Sequence, residues 1–230
     1  MAGAGPRMKV LALETSQDPG SIAVRVDGRT VAHRVDTQGR GQAERLLPLI
    51  AEILAGAGLR YRDVDVLAVG IGPGMFTGVR VGIAAVRGLR AVLKVPALGV
   101  GTLHAIAAGA AAAGVVAPGE EIYVVNDARN DEAYAQAFGP GVVAAGPPRL
   151  LAYADAVAAT PRGAAVLGTA TNLFATVPGA RVVVGCTHAD AAVVAALAEA
   201  QASASGFRDP GPPRPQYVRP PHARAMDVAP

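Results

Sequence analysis

The residues with the types and spacing to do chemistry begin with GIGPGMFTGVRVG, Gly70 to Gly82, where five glycines and a proline fall between an apolar run and a helical pattern. A phosphate-binding loop of the G-x-x-x-x-G-K-[ST] kind needs a lysine and a following hydroxyl, and neither stands here. A dinucleotide fingerprint reads G-x-G-x-x-G, whereas Gly70, Gly72 and Gly74 run two apart with the next glycine at 78. The free N–H groups of the helix after Thr77 offer an anion site; close backbone packing is the reading the composition favours.

Other constellations are sparse. His33, His104, His188 and His222 lie far apart on different elements, and no H-x-x-x-H pair occurs, so a histidine metal site is not expected. Cys186 is the only cysteine, read as a small buried hydrophobe. G-x-S-x-G is absent. Asp127, Asp131 and Glu132 could pass for acid/base carboxylates, but an exposed charged turn is the commoner reason for such a group.

The 230 residues suit one large domain or two lobes, and 51% hydrophobic against 17% charged content implies a folded protein. A net charge of +3, with 4% aromatic residues and no Trp, is a poor footprint for a chain that holds nucleic acid by itself. MAGAGPRMKVLALETS has only VLAL as an apolar run before Glu14, so no signal peptide is expected, and Met8 would serve equally as a start. Ala105 to Gly119 is too short to span a bilayer. The expectation is a reduced, cytoplasmic, soluble protein with no membrane partner.

The elements that must position these residues follow from periodicity. KVLALE reads as a strand, and SIAVRV and RTVAHRV flank Asp27-Gly28, a strong hairpin signal. Leu46, Leu49, Ile50 and Ile53 mark a first helix, in which Pro48 should cost about 3 kcal/mol and introduce a kink. VDVLAVGIG is a buried strand, VRVGIAAVRGLRAVL a helix and VPALGV a strand, giving β-β-β-α-β-α-β. From Gly101 the pattern restarts: a helix at 102–113, strands EIYVVNDA and DEAYAQAF, a helix LLAYADAVAAT, a strand AAVLG, a short helix TNLFATV, a strand RVVVG and a helix from His188. The proline-rich end reads as a linker, one strand near 214–220, and a loose tail. Residues 8–100 and 101–213 form two α/β lobes, with 1–7 and 221–230 loose.

On a wheel of the second long helix, Val81, Val86, Leu89 and Val92 face the sheet, while Arg80, Arg87 and Lys94, with Ile83 nearby, face outward. Gly78, Gly82 and Gly88 make this a helix of small residues, which favours a partner surface over a pocket.

MKVLALETS, ERLLPLI, GIGPGMFTGVRVGIAAVRGL, GVGTLHAIA, NDARNDEAY and PQYVR, in that order from Met8 to Arg219, resemble the bacterial TsaB family of tRNA threonylcarbamoyladenosine biosynthesis proteins, a glycoprotease-like branch of the ASKHA superfamily. The resemblance implies a two-lobed, actin-like (ribonuclease H-like) α/β fold with mixed sheets flanked by helices. It implies a non-catalytic subunit that pairs with the TsaD paralogue, which carries the metal and modifies tRNA A37, with the ATPase TsaE joining. ATP and metal are then expected in those partners and no cofactor in this chain, and tRNA is met only through the complex. The dimer surface is implied on the two helices, with Leu46, Leu47, Ile50, Gly78, Arg80, Ile83 and Arg87 as its residues, and the chain alone would pair with itself. GVGTLHAIAAG, with lone His104 and Ala108 four residues on, departs from the histidine pair of the metal-holding relatives. Gln42-Ala43-Glu44-Arg45 departs from the usual His before Ser-Glu-Arg. The old glycoprotease label finds no support in these residues. Glu14, Thr15 and Ser16 sit where actin-like ATPases place a first phosphate loop, and Asp127 and Arg129 where a second would sit; an inherited turn without nucleotide is the favoured reading. The alternatives are a stand-alone actin-like small-molecule kinase or ATPase, and a tRNA-binding module.

Overall fold

A computed structural model describes residues 8–37 and 41–218. The two tails expected to be loose, the choice of start, His222 and Arg219 lie outside the described residues. The chain opens with β1 (Lys9–Glu14), β2 (Gly20–Val26) and β3 (Arg29–Asp36) as an antiparallel meander. Asp27 and Gly28 take φ of 48° and 76°, the positive pair that the hairpin signal demands. α1 (Gln42–Gly56), β4 (Val66–Gly70), α2 (Phe76–Leu93) and β5 (Ala97–Val100) complete the expected order, and the sheet runs β3-β2-β1-β4-β5 with β4 parallel to both β1 and β5. α1 is unbroken at Pro48, which is exposed. Leu46, Leu49, Ile50, Ile53 and Leu54 are buried from the same helix, each worth about 1.5–3 kcal/mol, more than the proline takes away.

α3 (Thr102–Ala112) leads into β6 (Ile122–Arg129) and β7 (Glu132–Gly139), then β8 (Val143–Ala144), β9 (Arg149–Ala152), α4 (Tyr153–Ala158), β10 (Ala165–Leu167), β11 (Arg181–Val182) and α5 (Ala191–Ser205). The second sheet is ordered β11-β10-β6-β7-β8, with β9 also on β7. Three expectations change. LLAYADAVAAT is not one helix: Arg149 to Ala152 pair with β7, and only six residues follow as α4. TNLFATV is a single 3-10 turn, and RVVVG keeps two strand residues.

Alternation along the strands builds the layers. On β1, Leu11 and Leu13 face α1 and α2, whereas Val10 and Ala12 face a central core that also takes Ile122 and Val124 of β6. The other face of β6, Tyr123 and Val125, packs with Ala156 of α4 and Phe174. Between the sheets lie α3 and α5, whose Ala191, Val194, Ala195, Ala198 and Ala202 are buried against Ala12, Ala23 and Ala68. Small residues on both sides let the helix lie close to the sheet. α5 thus packs on β1, β2 and β4 of the first sheet, tied there by Arg25 Nε to Glu199 (2.6 Å). The last described stretch returns to the loop after β4 through one backbone bond, Gln216 N–H to Ile71 O at 2.8 Å, with no strand over 208–217.

Candidate functional site

The glycine loop is shaped by what leans on it. β1 ends in Glu14, and the turn Thr15–Ser16 passes across the start of α2. Thr15 Oγ1 donates to Gly78 O at 2.7 Å, and Met75 N–H donates to Ser16 O at 2.7 Å. A Cβ at Gly74 would stand 2.3 Å from Ser16 O, one at Gly78 2.0 Å from Thr15 O, and one at Gly82 2.3 Å from Thr15 Oγ1. Only glycine permits that approach. Gly88 differs: among the described residues nothing outside the helix stands within 4 Å of an added Cβ.

Glu14 is fully buried, and Ser16 N–H donates to its Oε1 at 2.6 Å, while Oε2 has no partner among the described residues. Burial pushes its pKa up from 4.5 to about 7, outweighing the hydrogen bonds from Ser16, Thr102 and Thr15 that favour the anion. Ser16 Oγ shares a 2.7 Å hydrogen bond with Thr102 Oγ1, which also accepts from Gly72 N–H at 3.2 Å. The hydroxyls of the presumed first phosphate loop are therefore bonded within the protein. Thr102 lies outside the motifs legible in the sequence, although a threonine opening a helix after GVG is a position where a hydroxyl commonly meets backbone N–H groups.

A cleft of about 1410 Å³ runs between this loop and the second sheet. It brings Ser16, Asp127 and Arg129 to one space, with Thr169 and His188, while Glu14 and Thr15 do not line it. Asp127 sits at the mouth of the β6–β7 turn, where Arg129, Asn130 and Asp131 all have positive φ. Its Oδ1 accepts from Arg129 N–H (2.7 Å) and Tyr153 O–H (3.0 Å), and this acceptor raises the Tyr153 pKa. The turn is exposed at Asp127 and Asp131, as the charged-turn reading expected.

The α2 face needs correction. The sheet side is Gly78, Val79, Gly82, Ile83 and Val86, and Val92 is 78% exposed. Of the residues expected at a partner surface, Leu46, Ile50, Gly78 and Ile83 are buried in this chain's own packing, whereas Leu47, Arg80 and Arg87 are exposed. The proline-rich segment read as a linker lies along this helix. Arg80 Nε donates to Tyr217 Oη at 2.8 Å with its Cζ 3.6 Å over the Phe76 ring; Arg87 Nε donates to Pro213 O at 2.9 Å; Arg90 pairs with Asp209.

The remaining candidates stay apart. His104 stacks on Phe138 with centroids 5.6 Å apart, and burial lowers its pKa. His33 Nε2 lies 2.9 Å from Asp190 Oδ2, and His188 Nδ1 pairs with Thr187 Oγ1. Cys186 is half-buried against the central core. Among the described residues no three His, Cys, Asp or Glu side chains gather to hold a metal ion, and no helix is long and apolar enough to cross a membrane.

Comparison with known proteins agrees with this geometry. YeaZ from Pseudomonas aeruginosa superposes with a TM-score of 0.81 and 28% identity, covering 91% of this chain and 99% of that one. The tRNA threonylcarbamoyladenosine biosynthesis protein TsaB of Escherichia coli (strain K12) is 40% identical over 103 residues, 45% of this chain and 44% of that protein. The protein of the same name from Haemophilus influenzae is 39% identical over 127 residues, 55% and 52% of the two chains. These matches span about half the length of the curated relatives. Residues 29–145, half of the chain, match the family described as TsaD, tRNA N6-adenosine threonylcarbamoyltransferase. The chain belongs to that family and is a homologue of TsaB within it.

Proposed function

We propose that the protein is a non-catalytic cytoplasmic subunit of the machinery that makes threonylcarbamoyladenosine at A37 of tRNA, pairing with the metal-bearing TsaD-type paralogue and met by the ATPase TsaE. The observation that carries this reading is the stitching of Thr15 and Ser16 onto α2 and Thr102. Where an actin-like enzyme presents a loop to phosphate, these hydroxyls and the Ser16 carbonyl already hold Gly78, Thr102 and Met75. Hydroxyls engaged in this way support a reading in which ATP and metal belong to the partners. Alone, the exposed parts of α1 and α2 around Leu47 and Arg87 pair with a second copy, and tRNA is reached only in the complex.

Sedimentation of the chain alone and mixed with the TsaD paralogue of the same genome tests this. A homodimer converting to a one-to-one complex is the expected result, with Arg87→Glu weakening the complex by about 1–3 kcal/mol. A chain unchanged by the paralogue overturns it. The size of the cleft and its Ser16, Asp127 and Arg129 lining favour a second reading, a small actin-like kinase or ATPase. That reading requires Mg-dependent ATP turnover by the chain alone.

A further inference from the structure

Among the described residues Glu14 is the only acidic or basic side chain that is buried, and it does not line the cleft. It ends β1 opposite Ser21 of β2, with Thr102 of α3 beside it. A Cβ on Gly70 of β4 would stand 2.0 Å from its Oε2, so the carboxyl sits where only glycine leaves room. No charge on the surrounding elements offsets an anion there. Lys9, at the far end of β1, pairs with Asp65, Arg25 of β2 with Glu199 of α5, and Asp190 before α5 with His33. Arg80 of α2 bonds Tyr217, His104 of α3 stacks on Phe138, and Asp18 is exposed. Burial and hydrogen bonds alone set the affinity of this carboxyl for a proton.

Beside it are two hydroxyls with a choice of partner. Ser16 Oγ and Thr102 Oγ1 share one hydrogen bond at 2.7 Å, and Thr102 Oγ1 also accepts from Gly72 N–H. Both hydroxyls stand where they favour the Glu14 anion. Each carries a single proton, so while they are joined only one is left to donate to the carboxyl. A buried anion is held best when every available donor is turned to it, because charge-assisted hydrogen bonds are stronger than neutral ones. Turning both hydroxyls to the carboxylate breaks the bond between Ser16 and Thr102. The Ser16 carbonyl accepts from Met75 N–H, so this turn is also tied to the start of α2.

We propose that Glu14, Ser16 and Thr102 form a proton-operated latch beneath the glycine loop. With Glu14 protonated, the two hydroxyls hold each other and pin the turn to α3. With Glu14 ionised, both turn to the carboxylate and the pin opens. The part set free is the cleft wall made by Ser16, Pro73, Gly74 and Met75, so the shape of that wall follows the proton. Burial pushes the carboxyl up to about 7, so the latch is closed below neutral pH and opens as pH rises through it.

The test is an NMR titration of the full folded chain across neutral pH, following the Glu14 Cδ signal and the amide signals of Gly72 and Met75. All three should move together, with one midpoint near 7. Glu14→Gln keeps the shape and cannot ionise, and should leave both amide signals still. Ser16→Ala and Thr102→Val each remove a donor to the anion and should each raise the carboxyl midpoint. If Thr102→Val fails to fold, Ser16→Ala carries this arm alone. A Glu14 signal that titrates while Gly72 and Met75 stay still separates the proton from the loop and overturns the latch. Amide movement that persists in Glu14→Gln overturns it as well, because another group is then titrating. So does a carboxyl that does not titrate across neutral pH, or a midpoint that Ser16→Ala leaves in place. Loss of the Val69 and Val124 signals together with those of the loop would be unfolding, not opening, and also overturns it.

Discussion

Thr15 and Gly78 hold each other from both sides: the threonine hydroxyl donates to the Gly78 carbonyl at 2.7 Å, and a Cβ on Gly78 would stand 2.0 Å from the Thr15 carbonyl. The contact fastens the end of β1 to the first turn of α2, and so sets where the glycine loop and the cleft wall lie.

Gly78→Ala should therefore destabilise the fold by about 1–3 kcal/mol, because the obstruction is backbone that has no rotamer to change. Helix propensity alone would favour alanine by about 1 kcal/mol. A urea midpoint equal to or above that of the unaltered protein would show that the approach is looser than described.

Gly88 supplies the contrast on the same helix. Its Cβ position is open, so Gly88→Ala should stabilise the isolated chain by about 0.5–1 kcal/mol. A raised melting temperature together with weaker binding to the paralogue would place a partner backbone against position 88; a lowered melting temperature contradicts the open position.

Thr102 joins three elements through one oxygen. Thr102→Val keeps the shape and removes the hydroxyl, leaving the Ser16 hydroxyl and the Gly72 N–H without their partner in buried surroundings. A loss of about 1–3 kcal/mol is expected. Thr102→Ser should retain most of the stability, and equal losses in the two variants would argue against the hydrogen bonds as the cause.

Glu14 makes stability depend on pH. With a folded-state pKa of about 7 against 4.5 unfolded, the folded state holds the extra proton between those values. Its contribution is fully present below about pH 4.5 and is lost as pH rises through about 7, by about 3 kcal/mol in all. Glu14→Gln should remove that part of the slope, read as the difference between the two proteins in urea unfolding across pH 5 to 8. Parallel profiles would mean that the carboxyl is ionised throughout.

What the sequence determined by itself is local and periodic. The alternation in KVLALE and SIAVRV, the Asp27-Gly28 turn and the spacing of Leu46, Leu49, Ile50 and Ile53 specify the opening strands and first helix, because each signal acts over a few residues. The order of motifs from MKVLALETS to PQYVR carried the family. The tertiary structure decided what depends on partners far along the chain. α2 has apolar residues on more than one side, and the sheet decided that Val79, Ile83 and Val86 are buried, Val81 and Leu89 pack partly against the same core, and Val92 is left exposed. α5 is mostly alanine, without a polar stripe to orient it, and its place between two sheets follows from small residues on both. The segment from Asp209 to Tyr217 reads as a proline-rich linker until Arg80, Arg87 and Arg90 meet residues more than a hundred positions away. The glycines of the loop are legible as special, but the reason each must be glycine is the backbone of Thr15 and Ser16, which only folding brings to them.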